Sequence, residues 1–342
     1  MTSCYFVNHC NLIGRESTVV AEIENINPDI LIGLCLEEFD YHYLFGNFLE
    51  VIQPYLLRTG KKMKLIAPYV DTRPVPDNII VEDSYGYYHW STGPIDNAID
   101  NDIKFKFTDD VKLFTNYNNN SKYQRAMLVD QFVKNDLLKD GIVTLIQPEM
   151  YMPDGSLYEY KYHNGSKLVD ELYFVLNAEE NYGAGRLPKS YLKGVIDIVS
   201  ESTYDSGQYF ITEKTTKPLA VLKPFLVFGP PLVHKFLYDK FQIEYYTELF
   251  DYSFDEEHDV QQRINGIVEN LLRLSQLSKT ELLSIYESIN HKLIKNRKKY
   301  IDVKNEGRYI PKSLEFLKSN DIEWYGDIDA GILGLLIIEM KK

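Results

Sequence analysis

Residues 209–218 read YFITEKTTKP, and residues 224–229 read PFLVFG. The second stretch is apolar and is typical of a strand buried in a parallel sheet. The first stretch places a carboxylate and two ammonium groups just before that strand. Ligands of α/β proteins bind where strands end and helices begin. An acid beside bases at such a turn can hold a ribose hydroxyl and a phosphate together, so the pattern predicts a site for a ligand that carries both groups.

The first part of the chain alternates strand and helix signals. Residues 29–36 are nearly all apolar and predict a buried parallel strand. Residues 43–58 fit an amphipathic helix that stops at Gly60. Residues 63–67 and 79–81 are the next two strands. This alternation of strands and helices predicts a Rossmann-like first domain.

A second α/β unit follows a polar, acid-rich stretch at 94–109, where we expect the domain junction. Predicted strands lie at 111–115, 142–146, 195–199 and 226–228. A turn at 116–120 leads to a helix that Ser121 caps and that runs to about Leu138. We therefore expect two Rossmann-like α/β domains, over 1–109 and 110–300, and a tail over 301–342 that packs back on them.

Two helices are predicted near the end of the second domain. Residues 263–274 have helical periodicity. The capping-box sequence at 278–281 opens a long helix with Leu282 and Leu293 on one stripe.

Composition indicates a globular cytoplasmic protein. The 342 residues include 44% hydrophobic and 25% charged residues, and the formal net charge is −13. This charge argues against a globally basic nucleic-acid clamp. Residues 292–312 nevertheless hold eight Lys or Arg and two acids, so a local basic surface remains open. Three cysteines without metal-ligand spacing predict reduced thiols of a cytosolic protein.

The first candidate site is the start of the helix at 212. Thr212 is a suitable N-cap, Glu213 can accept hydrogen bonds from a vicinal diol, and Lys214 or Lys217 can neutralise a diphosphate. Glu201 lies near the end of the preceding strand. Pro218 leaves an alternative in which the helix starts near Lys217. A solvated, charged helix start is the competing interpretation.

The second candidate site is the turn after the strand at 111–115. Asn116 lies in this turn, and Arg125 follows one turn into the next helix, where its guanidinium can bind a phosphate through two hydrogen bonds. Arg125 can equally be a surface arginine at helical spacing from acids such as Asp130.

Two groups of motifs resemble known families. Residues 210–214 resemble the "(Y/F)-x-T-E-K" signature of fucosyltransferase-like glycosyltransferases of the GT-B fold, and Glu201 matches the acid of the element that precedes it there. The second resemblance is to glycosyltransferase-like proteins of tailed phages. It is carried by residues 212–218, 224–230 and 251–255 and by Arg263 after them. The resemblance covers about residues 110–300 and leaves the first domain unmatched. It implies two domains facing across a cleft, with the acceptor domain over 1–109 and the donor domain over 110–300.

The resemblance implies a donor site for a nucleotide-diphosphate sugar, made of seven residues: Asn116, Arg125, Glu201, Thr212, Glu213, Lys214 and Lys217. Because cationic side chains do the electrostatic work, we expect no metal and no cofactor besides this co-substrate. Two Asp-x-Asp pairs, at 100–102 and 327–329, keep a metal alternative open.

Transfer to a hydroxyl needs a general base, and acids or histidines near strand ends of the first domain are the candidates. We take Glu38, His42 and Asp83 as the catalytic candidates; Glu37 and Asp40 lie in the same region. We expect the acceptor to be a glycan, a protein or, if the basic segment 292–312 faces a duplex, a hydroxymethylated base of phage DNA. A non-catalytic nucleotide-sugar-binding or structural interaction protein is the alternative function.

Overall fold

The computed structural model describes residues 2–8, 15–34, 49–67, 76–83, 93–118, 122–145, 187, 189–204, 209–305 and 322–326. The chain divides into two compact units. The first comprises Met1–Trp90, Gly207–Phe210 and Lys304–Lys342, and the second comprises Ser91–Ser206 and Ile211–Val303.

The first unit contains a five-stranded parallel sheet in the order β4-β3-β2-β1-β9. Its strands are β1 (Thr2–Asn8), β2 (Ile30–Leu34), β3 (Met63–Ala67), β4 (Ile79–Asp83) and β9 (Ile322–Gly326). Its described helices are α1 (Glu16–Ile26) and α2 (Leu49–Thr59). The β9 strand pairs with β1, so the tail completes the first sheet.

Apolar side chains of the sheet and of both helices form one core in this unit. Tyr5 and Val7 of β1 lie in it with Ile23 of α1 and Leu56 of α2. The predicted strand at 63–67 is confirmed. Residues 43–48 of the predicted helix lie outside the described residues, and its described part ends at Thr59, directly before Gly60.

The second unit contains a four-stranded parallel sheet in the order β6-β5-β7-β8. Its strands are β5 (Lys112–Asn118), β6 (Gly141–Leu145), β7 (Gly194–Ser200) and β8 (Phe225–Phe228). Its helices are α3 (Gly93–Asp100), α4 (Tyr123–Lys134), α5 (Glu213–Ala220), α6 (Val233–Phe241), α7 (Val260–Ser275), α8 (Lys279–Ser288) and α9 (Asn290–Asn305). With two parallel α/β units, the prediction of two Rossmann-like domains is confirmed.

Several element boundaries differ from the sequence predictions. The predicted turn at 116–120 is wrong for residues 116–118, which continue β5. The helix that follows ends at Lys134, and a separate 3-10 turn covers Leu138–Asp140. The capping box at Ser278 is confirmed. The long helix predicted after it breaks at Ile289 into α8 and α9, so the apolar stripe continues across two helices.

Part of the stretch predicted as the domain junction, 94–109, is helical. Residues 93–100 form α3, which packs against α5 in the second unit. None of the described helices is both long and apolar enough to cross a membrane.

A closed polar network is buried in the second unit. Lys223 Nζ donates to Thr115 Oγ1 and to the carbonyl of Tyr191, both at 2.8 Å. Thr115 Oγ1 donates to Asp197 Oδ1 at 2.8 Å, and the Tyr191 hydroxyl donates to the other carboxylate oxygen. Burial lowers the pKa of Lys223 to about 8, and Asp197 opposes this shift. The network joins β5, β7 and the residues before β8 through satisfied polar groups.

Candidate functional site

The strand order of the second sheet marks one edge as a binding position. The chain runs from β5 to β6 on one side of β5 and returns to β7 on the other side. Ligands of open parallel sheets bind at the carboxyl ends of the strands where this reversal occurs. The carboxyl ends of β5 and β7 are Asn118 and Ser200.

Buried amide side chains join β5 to β7 at this edge. Asn116 Nδ2 donates to the carbonyl of Ile198 at 2.7 Å and to Ser200 Oγ at 3.0 Å. Asn118 Nδ2 donates to Asn116 Oδ1 at 2.6 Å. Asn116 therefore fixes the relative position of the two strand ends, and its contact with a donor stays a prediction.

Glu201, directly after β7, fastens the start of α5 to the strand end. Its carboxylate accepts hydrogen bonds from Thr212 N at 3.0 Å, Thr212 Oγ1 at 2.7 Å and Thr215 Oγ1 at 2.6 Å. Thr212 Oγ1 in turn accepts from Lys214 N at 3.2 Å and caps the helix. The predicted N-cap is confirmed. The alternative start near Lys217 is wrong, because α5 begins at Glu213 and contains Pro218.

Three cations, Lys122, Arg125 and Lys214, meet at Ser202, and we name them the cationic cluster. Lys122 Nζ donates to the carbonyl of Ser202 at 3.2 Å. Arg125 Nη2 and Lys214 Nζ reach Ser202 Oγ at 3.5 Å and 3.4 Å. Lys122 and Arg125 come from the start of α4, and Lys214 comes from the first turn of α5, so two helix N-termini converge on one residue.

The pKa of Lys122 reflects the nearby positive charges. Burial, together with the positive charges of Arg125 and Lys214, lowers the pKa of Lys122 to about 7. Glu201 opposes this shift. A cluster whose members disfavour one another's charge is stabilised by an anion, because opposite charge favours the protonated form.

Arg125 is buried, with 2% of its surface exposed, which excludes the surface interpretation. Its Nη2 also lies 3.3 Å from the carbonyl of Ser200 and 3.4 Å from that of Glu201. Arg263 reaches the same segment from α7 and donates to the carbonyl of Tyr204. Two guanidinium groups therefore contact the backbone of residues 200–204, in addition to the Lys122 ammonium.

Glu213 and Lys217 complete the start of α5. Glu213 is buried, and its Oε1 lies 3.8 Å from Lys214 Nζ. Lys217 is 1% exposed, and burial lowers its pKa to about 8, with Glu213 opposing this shift and Lys214 adding to it.

The structure places all seven predicted donor residues at one sheet edge and the adjacent helix starts; their roles stay predictions. Of the catalytic candidates, Glu38 and His42 lie outside the described residues. Asp83 is the last residue of β4, and its side chain is not described.

Sequence reasoning missed Lys122 and Ser202 as members of the site. The sequence position of Lys122 could have indicated an anion-binding role, because it precedes the first turn of a helix that follows a strand. Ser202 had none, since only the fold brings its hydroxyl to Arg125 and Lys214.

The acidic motif at 251–255 has a structural role. Asp255 accepts from the backbone amides of His234 and Lys235 at 3.1 to 3.2 Å and caps the start of α6. His234 Nε2 accepts from Val227 N at 2.9 Å, so the ring satisfies an amide of β8, an edge strand. Burial lowers the pKa of His234, and Asp255 opposes this shift.

The basic segment forms ion pairs within the protein. Lys292 pairs with Glu248 at 2.8 Å and Arg297 with Asp102 at 3.0 Å. Lys295 also pairs with Glu244. The basic residues of α9 therefore hold the helix against acidic neighbours. Asp102, from the first Asp-x-Asp pair, also binds Lys104, and among the described residues no group of three acids, histidines or cysteines could hold a metal ion.

Comparisons with known proteins give weak similarities. No protein-family model and no curated protein matches the chain. Among solved structures, a UDP-forming alpha,alpha-trehalose-phosphate synthase from Burkholderia xenovorans is 10% identical with a TM-score of 0.36, over 86% of this chain and 77% of that chain. T4 phage BGT in complex with UDP and Mn2+ is 10% identical with a TM-score of 0.27, over 89% of this chain and 99% of that chain. Similarity at these TM-scores carries no argument about the site.

Proposed function

We propose that the chain is a metal-independent glycosyltransferase that moves a sugar from a nucleotide-diphosphate sugar to a hydroxyl acceptor. The observation that carries this proposal is the cationic cluster at the carboxyl edge of the second sheet. The protein has a net charge of −13, yet three buried or half-buried cations meet at Ser202. A dianionic ligand relieves their mutual repulsion.

The proposed chemistry assigns each residue a part. As the bond from the anomeric carbon to the diphosphate breaks, negative charge grows on the leaving oxygen, and Arg125 and Lys214 stabilise it. Glu213 holds the ribose hydroxyls. Glu201 lines the sugar pocket and, through its bonds to Thr212, keeps the start of α5 in place.

The acceptor hydroxyl loses its proton to a general base of the first unit, with Glu38, His42 and Asp83 as candidates, and its oxygen attacks the anomeric carbon. Inversion at this carbon is the outcome that the fucosyltransferase-like motif at 210–214 favours. The ion pairs of α9 favour a glycan over duplex DNA, because phosphate binding would have to displace Glu248 and Asp102.

The test is incubation with a panel of nucleotide sugars and measurement of released nucleoside diphosphate. We expect slow hydrolysis of one donor, and Lys214→Ala should reduce both affinity and turnover, because the charge that Lys214 meets grows in the transition state. Lys139→Ala, at an exposed lysine outside the site, is the matched control.

The remaining outcomes separate the alternatives. Binding of a nucleotide sugar without turnover, even with acceptors supplied, would support a non-catalytic nucleotide-sugar-binding protein. Failure of every nucleotide sugar to bind would support a structural interaction protein.

A further inference from the structure

Resting on the proposed donor site, we propose that Lys122 is a third diphosphate-binding cation and that it takes up a proton when the diphosphate binds. Lys122 is the N-cap residue of α4 and follows the carboxyl end of β5. Its place before the first turn of α4 and the strand order of the sheet bring it to the site.

The geometry places Lys122 where it can share one anion with its neighbours. Its Nζ lies 3.2 Å from the carbonyl of Ser202, and Lys214 Nζ and Arg125 Nη2 lie within 3.5 Å of the hydroxyl of the same residue. The three charges thus surround a single backbone position from two sides. A diphosphate offers several oxygens, so it can accept from cations on both helices at once.

The charges around Lys122 make its protonation state depend on the ligand. Burial, together with the positive charges of Arg125 and Lys214, lowers the pKa of Lys122 to about 7 against the opposing charge of Glu201. The charged and titratable groups at this site from the neighbouring elements are Arg125 on α4, Glu201 and Tyr204 after β7, Glu213, Lys214 and Lys217 on α5, and Arg263 on α7. A bound dianion raises the pKa of Lys122 again, so binding draws a proton from solvent.

Calorimetry of the full chain at about pH 8 tests this uptake. At this pH the phosphates of UDP, GDP and ADP are fully ionised, and only about a tenth of Lys122 carries its proton in the empty site. The nucleotide that binds most tightly is titrated in buffers of different ionisation enthalpy. We expect Lys122 to take up to about 0.9 proton per site. This number is the proton uptake of wild type minus that of Lys122→Met, a subtraction that removes the contribution of Lys217.

Two variants separate binding from a structural role. At pH 8 Lys122→Met should weaken nucleotide binding by up to about tenfold, because the lost charge-assisted contact is partly offset by the protonation that is no longer required. Lys122→Arg keeps the positive charge but does not titrate near pH 8, so it should retain the affinity and lose the Lys122 share of the proton uptake. Lys139→Met should match wild type in both measurements.

The outcomes are distinguishable from failure of the proposed function. Equal affinity and equal proton uptake in Lys122→Met and wild type would overturn this inference and leave the donor site standing. Proton uptake in Lys122→Arg equal to that of wild type would assign the proton to another group and overturn it as well. If wild type binds none of the three nucleoside diphosphates, the proposed function fails and this inference fails with it.

Discussion

Replacing Glu201 by alanine should destabilise the second unit strongly. The carboxylate is buried and accepts three hydrogen bonds, from Thr212 N, Thr212 Oγ1 and Thr215 Oγ1. Hydrogen bonds to a charged group contribute about 1.5 kcal/mol or more each, so the loss of all three should lower the free energy of unfolding by about 4.5 kcal/mol or more. Glu201→Gln keeps an acceptor oxygen and the side-chain shape and should cost about half as much.

Urea unfolding followed by far-UV circular dichroism measures the effect. We expect Glu201→Ala to lower the midpoint of the unfolding transition. Glu287→Ala, at an exposed glutamate, should change stability by less than about 0.5 kcal/mol. A loss below about 1 kcal/mol in Glu201→Ala would refute the assigned role of the carboxylate.

Three further predictions concern stability and metal. The pKa of His234 in the folded protein lies below its usual 6.5, so the free energy of unfolding should fall as the pH drops below about 6.5. In urea titrations His234→Gln should make this pH dependence weaker. The control His291→Gln, at an exposed histidine, should keep the pH dependence of wild type. Lys223→Met leaves Asp197 buried without its cation and should cost about 3 to 5 kcal/mol by circular dichroism, an effect absent in Lys139→Met. Nucleotide affinity should be the same with EDTA as with Mn2+, and a requirement for metal would contradict the assignment of charge neutralisation to side chains.

Local signals predicted much of the second unit. The apolar stretches gave β7 and β8, and the capping patterns at Thr212 and Ser278 gave the starts of α5 and α8. These succeed because strand burial and helix capping depend on neighbours in sequence.

Polar residues in strands were the main source of error. Asn116 and Asn118 have turn propensity, yet they continue β5, because their amides find partners across to Ser200 and along the strand. Pro218 was similarly misleading: tertiary contacts of the buried helix outweigh its unfavourable propensity.

Partners distant in sequence could not be predicted. The charge of residues 292–312 indicated a basic surface, but the acids that neutralise it lie about 50 and 200 residues earlier. Lys122 and Ser202 likewise lie 80 residues apart and meet only through strand order.

The most direct test of the central claim compares nucleoside diphosphates with their nucleosides by calorimetry. If the cationic cluster binds the diphosphate, at least one of UDP, GDP and ADP binds about tenfold or more tightly than its nucleoside, and Lys214→Met narrows that difference. Equal affinity for nucleoside and diphosphate, or a difference unchanged in Lys214→Met, would contradict the account.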